Sequence, residues 1–247
     1  MNRTANPTVD PQEIAQFAAI ADAWWDEEGA FRPLHRLNPV RLRYIRDNLC
    51  AHFGLDAEAP KPLSGLRLID VGCGGGLLCE PLTRMGATVT GIDAAEEGIA
   101  AARAHADSVG LAIDYRAATA ESLVAAGESF DAIISMEVLE HVADVDAFLA
   151  ACRDLTRPGG ALALSTLNRT PKSYLMAIVG AEYVLRWLPR GTHDWKKFIR
   201  PSELAAALRR QGLTLADLTG IEYSPLADRF SLGRDLGVNY LAFATRP

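Results

Sequence analysis

The sequence predicts an α/β protein built on a mostly parallel, seven-stranded sheet with helices on both faces. Three observations support this fold class. From Leu66 onward, short apolar runs alternate with helical patterns, which is typical of βαβ units. The first of these runs, Leu66–Val71, leads into a glycine-rich turn. Finally, 247 residues with 49% hydrophobic content are enough to bury a full core.

The residues before this sheet predict a helical extension. Asp10-Pro11-Gln12-Glu13 has the features of a helix start, and apolar residues follow at helical spacing as far as Trp24 and Trp25. A second helix is predicted over 39–53, and 55–65 has the prolines and glycines of a linker. The chain therefore divides into a helical cap over 1–60 and a main domain over 61–247.

Each element of the main domain follows from its apolar spacing and its flanking turn residues. Strands are predicted at 66–71, 87–93, 112–117, 130–135, 160–166, 213–222 and 236–245. Helices are predicted at 76–86, 95–109, 122–126, 144–156 and 201–211, and a helical insert, 168–200, follows strand five. The last two strands suit antiparallel pairing because only a short loop joins them.

Composition and charge argue against several classes of protein. A net charge of −6 argues against nucleic acid as a partner. The four cysteines lack CxxC spacing, so neither structural zinc nor a disulfide framework is indicated, and a reducing, intracellular setting is expected. Six acidic residues among the first thirty argue against a signal or transit peptide. No apolar run reaches the ~20 residues that span a bilayer.

The loop after strand one is the clearest indication of a cofactor. Asp70 lies near the end of the strand, and Gly72 to Gly76 expose bare backbone to a ligand. The dinucleotide pattern Gly-x-Gly-x-x-Gly fails at Leu77, and Asp70 would repel a pyrophosphate. A cationic cofactor without phosphate, such as S-adenosylmethionine (SAM), fits this loop better. The alternative is a turn that binds no ligand.

Two further acidic residues extend the predicted site. Asp93 ends strand two, where a carboxylate accepts both hydroxyls of a ribose; alternatively it caps the next helix. Thr119 and Glu121 follow strand three, where an adenine ring would lie. A polar side chain there could bond the adenine amino group, although a helix cap explains the pattern equally well.

Glu137, Glu140 and His141 follow strand four, and their spacing predicts one helical turn with all three on one face. Two carboxylates and an imidazole could hold a divalent ion. They could also supply a general base. The remaining alternative is a solvated acidic turn capped by His141.

The inserted segment 168–200 has an unusual composition. Its core, Tyr174–Leu188, is almost entirely apolar, and seven basic residues against two acidic ones give the segment a charge of +5. An apolar helix with basic flanks predicts contact with an anionic membrane surface. The alternative is a buried helix that covers the substrate pocket.

These features together resemble the class I SAM-dependent methyltransferases, which have a Rossmann-like fold, and within them the ubiquinone biosynthesis O-methyltransferase family. The glycine loop is common to the whole superfamily, and the resemblance covers nearly everything after Val9. The more specific motifs are Trp24–Asp26, Pro33–Pro39, Met136–Val142, Ser165–Arg169, Gly180–Tyr183, Gly191–Asp194 and Val238–Tyr240.

The resemblance implies roles for individual residues. Arg41 should pair with the SAM carboxylate, and the other cofactor-binding positions are Asp70, Gly72, Gly74, Asp93, Glu121 and Met136. Glu137, Glu140 and His141 match a divalent-metal site, so Mg²⁺ is expected as a second cofactor. The insert matches a region implicated in membrane association.

The implied reaction is methyl transfer to phenolic or catechol hydroxyls of polyprenylated ubiquinone precursors, at two steps of the pathway. Because the pKa of a phenol is near ~10, either a metal or a base must activate the oxygen. Glu137 and His141 are the expected catalytic residues, with His193 as a third candidate base. A methyltransferase acting on ring carbon and a non-catalytic SAM- or lipid-binding component are the rival interpretations.

The resemblance also implies partners and a location. The expected partners are the polyprenylated substrate, an anionic membrane surface contacted by 168–200, and other enzymes of ubiquinone biosynthesis, with no nucleic acid. The expected location is cytoplasmic, on the inner face of the membrane.

Overall fold

A computed structural model describes residues 8, 24–29, 31–176, 194–224 and 227–247. The predicted helix over 10–25 lies almost entirely outside the described residues, as does most of the apolar core of the insert. Among the described helices, none is both long enough and apolar enough to cross a bilayer.

The first described helix, α1, spans Arg32–Phe53 and begins seven residues before its predicted start. Pro33 stands in its first turn, where the missing N–H costs nothing. Pro39, which the sequence interpretation placed at the helix start, lies inside the helix instead. Burial of Leu37, Ile45 and Leu49 on one face compensates for the hydrogen bond that Pro39 cannot make.

The remaining elements match the predicted ones to within four residues at each end, with one added strand, and two short helical turns, Pro171–Ser173 and Trp195–Lys197, lie within the predicted insert. The helices are α2 (Cys79–Arg84), α3 (Glu96–Ser108), α4 (Ala120–Ala125), α5 (Val145–Leu155) and α6 (Pro201–Arg210). The strands are β1 (Arg67–Val71), β2 (Thr88–Asp93), β3 (Asp114–Ala117), β4 (Phe130–Met136), β5 (Thr156–Leu167), β6 (Thr214–Ser224), β7 (Arg229–Gly233) and β8 (Asn239–Thr245).

The strands form one sheet in the order β3-β2-β1-β4-β5-β8-β6-β7. The pairs from β3 to β5 are parallel, and those that involve β8, β6 and β7 are antiparallel. The predicted Rossmann-like sheet is confirmed, with eight strands instead of seven among the described residues. The sequence interpretation missed β7 because Arg229–Gly233 is a five-residue edge strand whose apolar side chains, Phe230 and Leu232, are only partly buried.

Helices cover both faces of the sheet, as predicted. On one face Leu68 of β1 packs with residues of α1, α2 and α3. On the other face the next residue, Ile69, packs with residues of α4, α5 and α6. Helix α1 therefore shares the core of the main sheet, and the division of the chain at residue 60 stays a prediction.

The strand order reverses between β1 and β4, so their carboxyl ends open a crevice at this point. Ligands in parallel α/β sheets bind in such crevices. The glycine loop follows β1, Asp93 ends β2, and Glu137 follows β4. The topology therefore brings most of the predicted site residues to one edge of the sheet.

Candidate cofactor and active site

The glycine loop is tied directly to the end of β2. The backbone N–H groups of Gly72 and Cys73 both donate to the Ile92 carbonyl, at 2.8 and 3.0 Å. The N–H of Gly74 donates to Oδ2 of Asp93 at 2.9 Å. Gly72 and Gly76 have φ values of 79° and 83°, a region that residues with a side chain rarely adopt. These turns therefore need glycine whether or not a ligand is bound.

Side chains of the protein itself lie against the bare backbone of this loop. An added Cβ would come within 2.4 Å of Val138 at Gly72, within 2.3 Å of Trp24 at Gly74, and within 2.1 Å of the Tyr115 hydroxyl at Gly76. The sequence interpretation assigned the missing side chains to ligand access or to the turn itself. The structure adds a further reason, which is close packing by neighbouring segments.

Asp93 makes two local hydrogen bonds, but it is not the helix cap that the sequence interpretation offered as its alternative role, because Ala95 is the N-cap of α3 and no side chain caps this helix. In addition to the bond from Gly74, its Oδ1 accepts from the Ala95 N–H at 2.8 Å, just before α3. Burial raises the pKa of this carboxyl, and the backbone hydrogen bonds act against that rise. Asp93 therefore connects the glycine loop to the start of α3, and its role in binding ribose stays a prediction.

Arg41 is a buried cation beside this loop. Its side chain is only 3% exposed, and Nη2 lies 3.1 Å from Oε1 of Glu137. The two groups form an ion pair, but Nη2 is not directed for a hydrogen bond, and Nε also lacks a hydrogen-bond partner within the described structure. A buried guanidinium with unsatisfied donors is suited to bind a carboxylate, which agrees with the role predicted for Arg41.

Asp70 is buried near Arg41 and next to a thiol. Burial raises its pKa to about 7, while a hydrogen bond from Cys79 and the charge of Arg41 act in the opposite direction. The Sγ of Cys79 donates to Oδ2 of Asp70 at 3.4 Å. A cation bound close to Asp70 would stabilise its ionised form.

The turn after β4 differs from the predicted helical turn. The His141 N–H donates to the Val138 carbonyl, and α5 begins only at Val145. Glu137 has φ 57°, which is uncommon for a residue with a side chain. The prediction that Glu137, Glu140 and His141 share one face of a helix is therefore wrong, because a left-handed residue at the end of β4 turns the chain away from helical geometry.

The Glu137 carboxylate is held by residues from two neighbouring strands. Its Oε1 accepts from Oγ of Ser165 at 2.6 Å and from Nδ2 of Asn239 at 3.1 Å. The backbone N–H of Glu137 also donates to Oγ of Ser165 at 3.1 Å. Together with Arg41, these contacts fix the carboxylate at the mouth of the crevice.

Glu140 is buried, and only one of its two carboxylate oxygens has a hydrogen-bond partner within the described structure. Its Oε2 accepts from Oγ1 of Thr166 at 2.7 Å, whereas its buried Oε1 has no hydrogen-bond partner within the described structure. Burial and the nearby charge of Glu137 raise the pKa of Glu140 to about 7, and His141 and Thr166 lower it. Such an oxygen is suited to hold a proton or a cation.

The described residues contain no group of three or more His, Cys, Asp or Glu side chains arranged to hold a metal ion. As described, Glu137, Glu140 and His141 do not form a three-ligand site, because Glu137 is engaged with Arg41, Ser165 and Asn239. The Mg²⁺ assignment therefore stays a prediction from the resemblance.

The other predicted residues have mixed outcomes. Met136 is buried at the end of β4, beside the turn. Thr119 caps α4 through a reciprocal bond with Ser122, so the capping alternative is confirmed for Thr119. Glu121 lies in the first turn of α4 and accepts a hydrogen bond from the Thr8 hydroxyl. Its contact with adenine stays a prediction, and His193 lies outside the described residues.

Sequence analysis assigned no role to the side chains that support Glu137. Ser165 and Thr166 are fully buried polar residues near the end of β5. Consecutive polar residues in an otherwise apolar central strand are a signal that could have found them, because buried hydroxyls require partners. For Asn239 the signal was its place in the motif Val238–Tyr240, but only the antiparallel pairing of β8 with β5 shows that it reaches the crevice.

At the N-terminal end of the insert, two basic side chains form ion pairs with acidic residues of the main domain. Arg169 pairs with Glu203, and Lys172 pairs with Asp235. Tyr174, Leu175 and Met176 are 50%, 62% and 39% exposed. Residues 177–193 lie outside the described part of the chain, so the predicted apolar helix is not tested beyond Met176.

The sequence of the chain is similar to those of known methyltransferases. A family model described as "Methyltransferase domain" matches residues 69–164. A ubiquinone biosynthesis O-methyltransferase from Brucella anthropi is 56% identical over 247 residues, covering all of both chains. A protein of the same name from Parvibaculum lavamentivorans is 57% identical over 245 residues, covering 99% of this chain and 97% of its own.

The fold is similar to that of solved methyltransferases. A magnesium protoporphyrin IX methyltransferase from Synechocystis, solved with bound SAM, has a TM-score of 0.57 at 18% identity and covers 100% of both chains. A SAM-dependent methyltransferase from Thermotoga maritima has a TM-score of 0.60 at 18% identity, covering 94% of this chain and all of its own. At these identities the likeness concerns the fold alone.

The raised pKa of Asp70 predicts how the stability of the cofactor-free protein depends on pH. Its folded-state pKa is about 7 against an ordinary value of 3.8, so the folded protein keeps this proton where the unfolded chain has lost it. The stabilisation is complete below about pH 4 and is lost as the pH rises toward 7. We expect Asp70→Asn to flatten the decline in unfolding free energy between pH 4.5 and 8, measured by urea denaturation.

Glu140 should contribute in the same direction, so the slope should decrease in the Asp70 variant without vanishing. Asp114→Asn, at an exposed position in β3, is the matched control and should retain the wild-type slope. An Asp70→Asn variant with the wild-type slope would contradict the assigned protonation of Asp70.

Proposed function

The chain belongs to the ubiquinone biosynthesis O-methyltransferase family of SAM-dependent methyltransferases, and from this premise we propose that it methylates phenolic or catechol hydroxyls of polyprenylated ubiquinone precursors. SAM is the methyl donor. The structural observation that carries the proposal is the meeting of Arg41, Asp70 and Asp93 beside the glycine loop, where β1 and β4 diverge. These groups match the carboxylate, the ammonium and the ribose hydroxyls of SAM.

The proposed assignments follow from charge. Arg41 binds the SAM carboxylate through its unsatisfied guanidinium N–H groups. Asp70 lies where an adjacent positive charge would keep it ionised, and Asp93 accepts hydrogen bonds from the ribose through the lone pairs that Gly74 and Ala95 leave unused. Gly72, Gly74 and Met136 line the site, and Glu121 lies on the adenine side.

When bound, SAM supplies an electrophilic methyl group, and the acceptor oxygen must lie nearly in line with the carbon–sulfur bond. The residues after β4 align the acceptor and remove its proton. Because Glu137 is already engaged with Arg41, Ser165 and Asn239, we assign it the role of orienting the acceptor. We assign proton removal to His141, the neighbouring side chain that can act as a general base.

We also propose, from the family resemblance, that Glu137, Glu140 and His141 bind Mg²⁺. The unpartnered Oε1 of Glu140 supports this proposal, whereas Glu137 would have to exchange Arg41 for the ion. A bound divalent ion would lower the pKa of a chelated catechol hydroxyl. The steps described above do not depend on it.

We further propose that the insert brings the enzyme to the inner face of an anionic membrane, where its polyprenylated substrate resides. The apolar run begins with the exposed side chains of Tyr174 and Leu175. Arg169 and Lys172 are already paired with acidic residues of the domain. The charges expected to meet lipid therefore come from the other basic residues of the insert, which include Arg186, Arg190 and Lys196.

The first prediction tests the cofactor site together with the activity. Wild-type protein should transfer a labelled methyl group from SAM to an oxygen atom of a demethylated quinol. Asp93→Ala should bind SAM more weakly by roughly 2–4 kcal/mol in a calorimetric titration, because it loses a charged acceptor of hydrogen bonds. Asp114→Ala removes an exposed carboxylate from the opposite end of a strand and should bind SAM like wild type. Unchanged SAM affinity in a folded Asp93→Ala protein would contradict the assignment, and label on ring carbon would contradict O-methylation.

The second prediction concerns the metal. Exhaustive chelation should slow methyl transfer, because His141 must then deprotonate a hydroxyl whose pKa no metal lowers, and added Mg²⁺ should restore the rate in wild type but not in Glu140→Gln. SAM affinity, measured in parallel, should be unaffected by the chelator. Full activity after chelation would contradict the proposed metal site and leave His141 alone to activate the hydroxyl.

The third prediction concerns the membrane. Wild-type protein should sediment with vesicles rich in anionic lipid at low salt. Each basic residue near the membrane surface adds about 1 kcal/mol to the binding free energy. Added salt should release the protein because it screens this attraction at distances beyond a Debye length. Replacing Arg186, Arg190 and Lys196 together by Gln should prevent sedimentation and leave SAM affinity intact.

The same charge change at Arg43, Arg209 and Arg229, which lie outside the insert, is the control and should leave sedimentation unchanged. If wild type does not sediment with anionic vesicles, the insert does not bind membranes by charge.

A further inference from the structure

Two tryptophans that precede α1 lie directly on the glycine loop. Trp24 is 8% exposed, and its indole packs against the backbone of Gly74 and Gly75. Phe31 stacks on the same indole, with ring centroids 3.8 Å apart. The segment before α1 is therefore packed against the part of the chain that is assigned to the cofactor.

Trp25 makes the polar contact between this segment and the loop. Its Nε1 donates to the Gly75 carbonyl at 3.0 Å. Its ring stacks on the imidazole of His105 in α3, with centroids 3.5 Å apart and planes inclined by 5°. The Nδ1 of His105 in turn lies 2.6 Å from Oε1 of Glu80, a buried residue of α2. Trp25 is thus held by α3, and its partner there, His105, is held in turn by α2.

We propose that Trp25 is a positioning residue for SAM, which it holds in place through the glycine loop. The proposal rests on the assignment of SAM to this loop. The Gly75 carbonyl accepts from Trp25, and the N–H of its neighbour Gly74 donates to Asp93. The peptide groups before Gly74 and after Gly75 are therefore each anchored by a side chain from outside the loop.

The consequence for the cofactor follows from this pair of anchors. Without the bond from Trp25, the Gly74–Gly75 backbone can shift, and the Gly74 N–H then loses its alignment with Asp93. Asp93 is the residue assigned to the ribose, so the loss of Trp25 should weaken the binding of SAM more than the chemical step. The partly exposed ring of Trp25 and its use of the indole N–H distinguish it from Trp24, which is buried by packing.

The test is Trp25→Phe, which keeps an aromatic ring for the stack on His105 but removes the donor. The KM for SAM and its calorimetric Kd should rise by roughly 3- to 10-fold, the loss expected for one hydrogen bond, while kcat at saturating SAM stays near the wild-type value. The matched control is Trp195→Phe, which removes an indole bond of the same length, 3.0 Å, to the Thr170 carbonyl. It should leave the Kd for SAM unchanged.

A second variant tests whether His105 acts through Trp25. His105→Phe keeps a flat ring beneath the indole but breaks the contact with Glu80, and it should also weaken SAM binding. The double variant should lose less affinity than the two single losses combined, because both act on the same bond. Full additivity would show that His105 does not act through Trp25.

The outcomes separate the positioning role from the assigned function. If wild type binds no SAM, the assignment of the cofactor fails. If wild type binds SAM and Trp25→Phe binds it equally well, the positioning role is overturned while the cofactor assignment stands. A fall in kcat or in melting temperature with an unchanged Kd would also overturn it, since Trp25 would then act through stability or chemistry.

Discussion

The glycine loop can keep its shape only because neighbouring residues bind its bare backbone. Gly72 and Gly76 adopt left-handed conformations, and Cys73 is the one residue of the five in this loop whose side chain can anchor it. Its hydrogen bonds go to the Ile92 carbonyl, the Asp93 carboxylate and the Trp25 indole. The cofactor site therefore depends on β2 and on the segment before α1 as much as on the loop itself.

The same requirement explains why so many side chains meet at the loop. Each missing Cβ leaves space that a neighbour fills: Val138 lies at Gly72, Trp24 at Gly74 and Tyr115 at Gly76. These contacts link the loop to the turn after β4, to the N-terminal segment and to β3. A shift of the loop on ligand binding would therefore displace side chains in all three regions.

The second organising feature is a group of buried charges at the same edge of the sheet. Arg41 is the cation among Asp70, Glu137 and Glu140, all of which are largely removed from water. Because burial penalises charge, Asp70 and Glu140 have raised pKa values, whereas Glu137 is held by Arg41, Ser165 and Asn239. A site with more buried carboxylates than cations is suited to a positively charged ligand, in agreement with the family to which the chain belongs.

The sequence by itself determined the sheet, its order of elements and the residues at its carboxyl edge, because apolar periodicity and glycine turns are local signals. It placed Asp70, Asp93 and Glu137 correctly at strand ends. It did not determine that Pro39 lies inside α1, that Arg229–Gly233 forms a strand, or that Glu137 begins a left-handed turn, because packing and pairing partners decide these features. Only the tertiary structure brought Trp25 to Gly75 and Asn239 to Glu137, residues 50 and 102 positions apart in the chain. Contacts at such separations leave no periodic trace in the sequence.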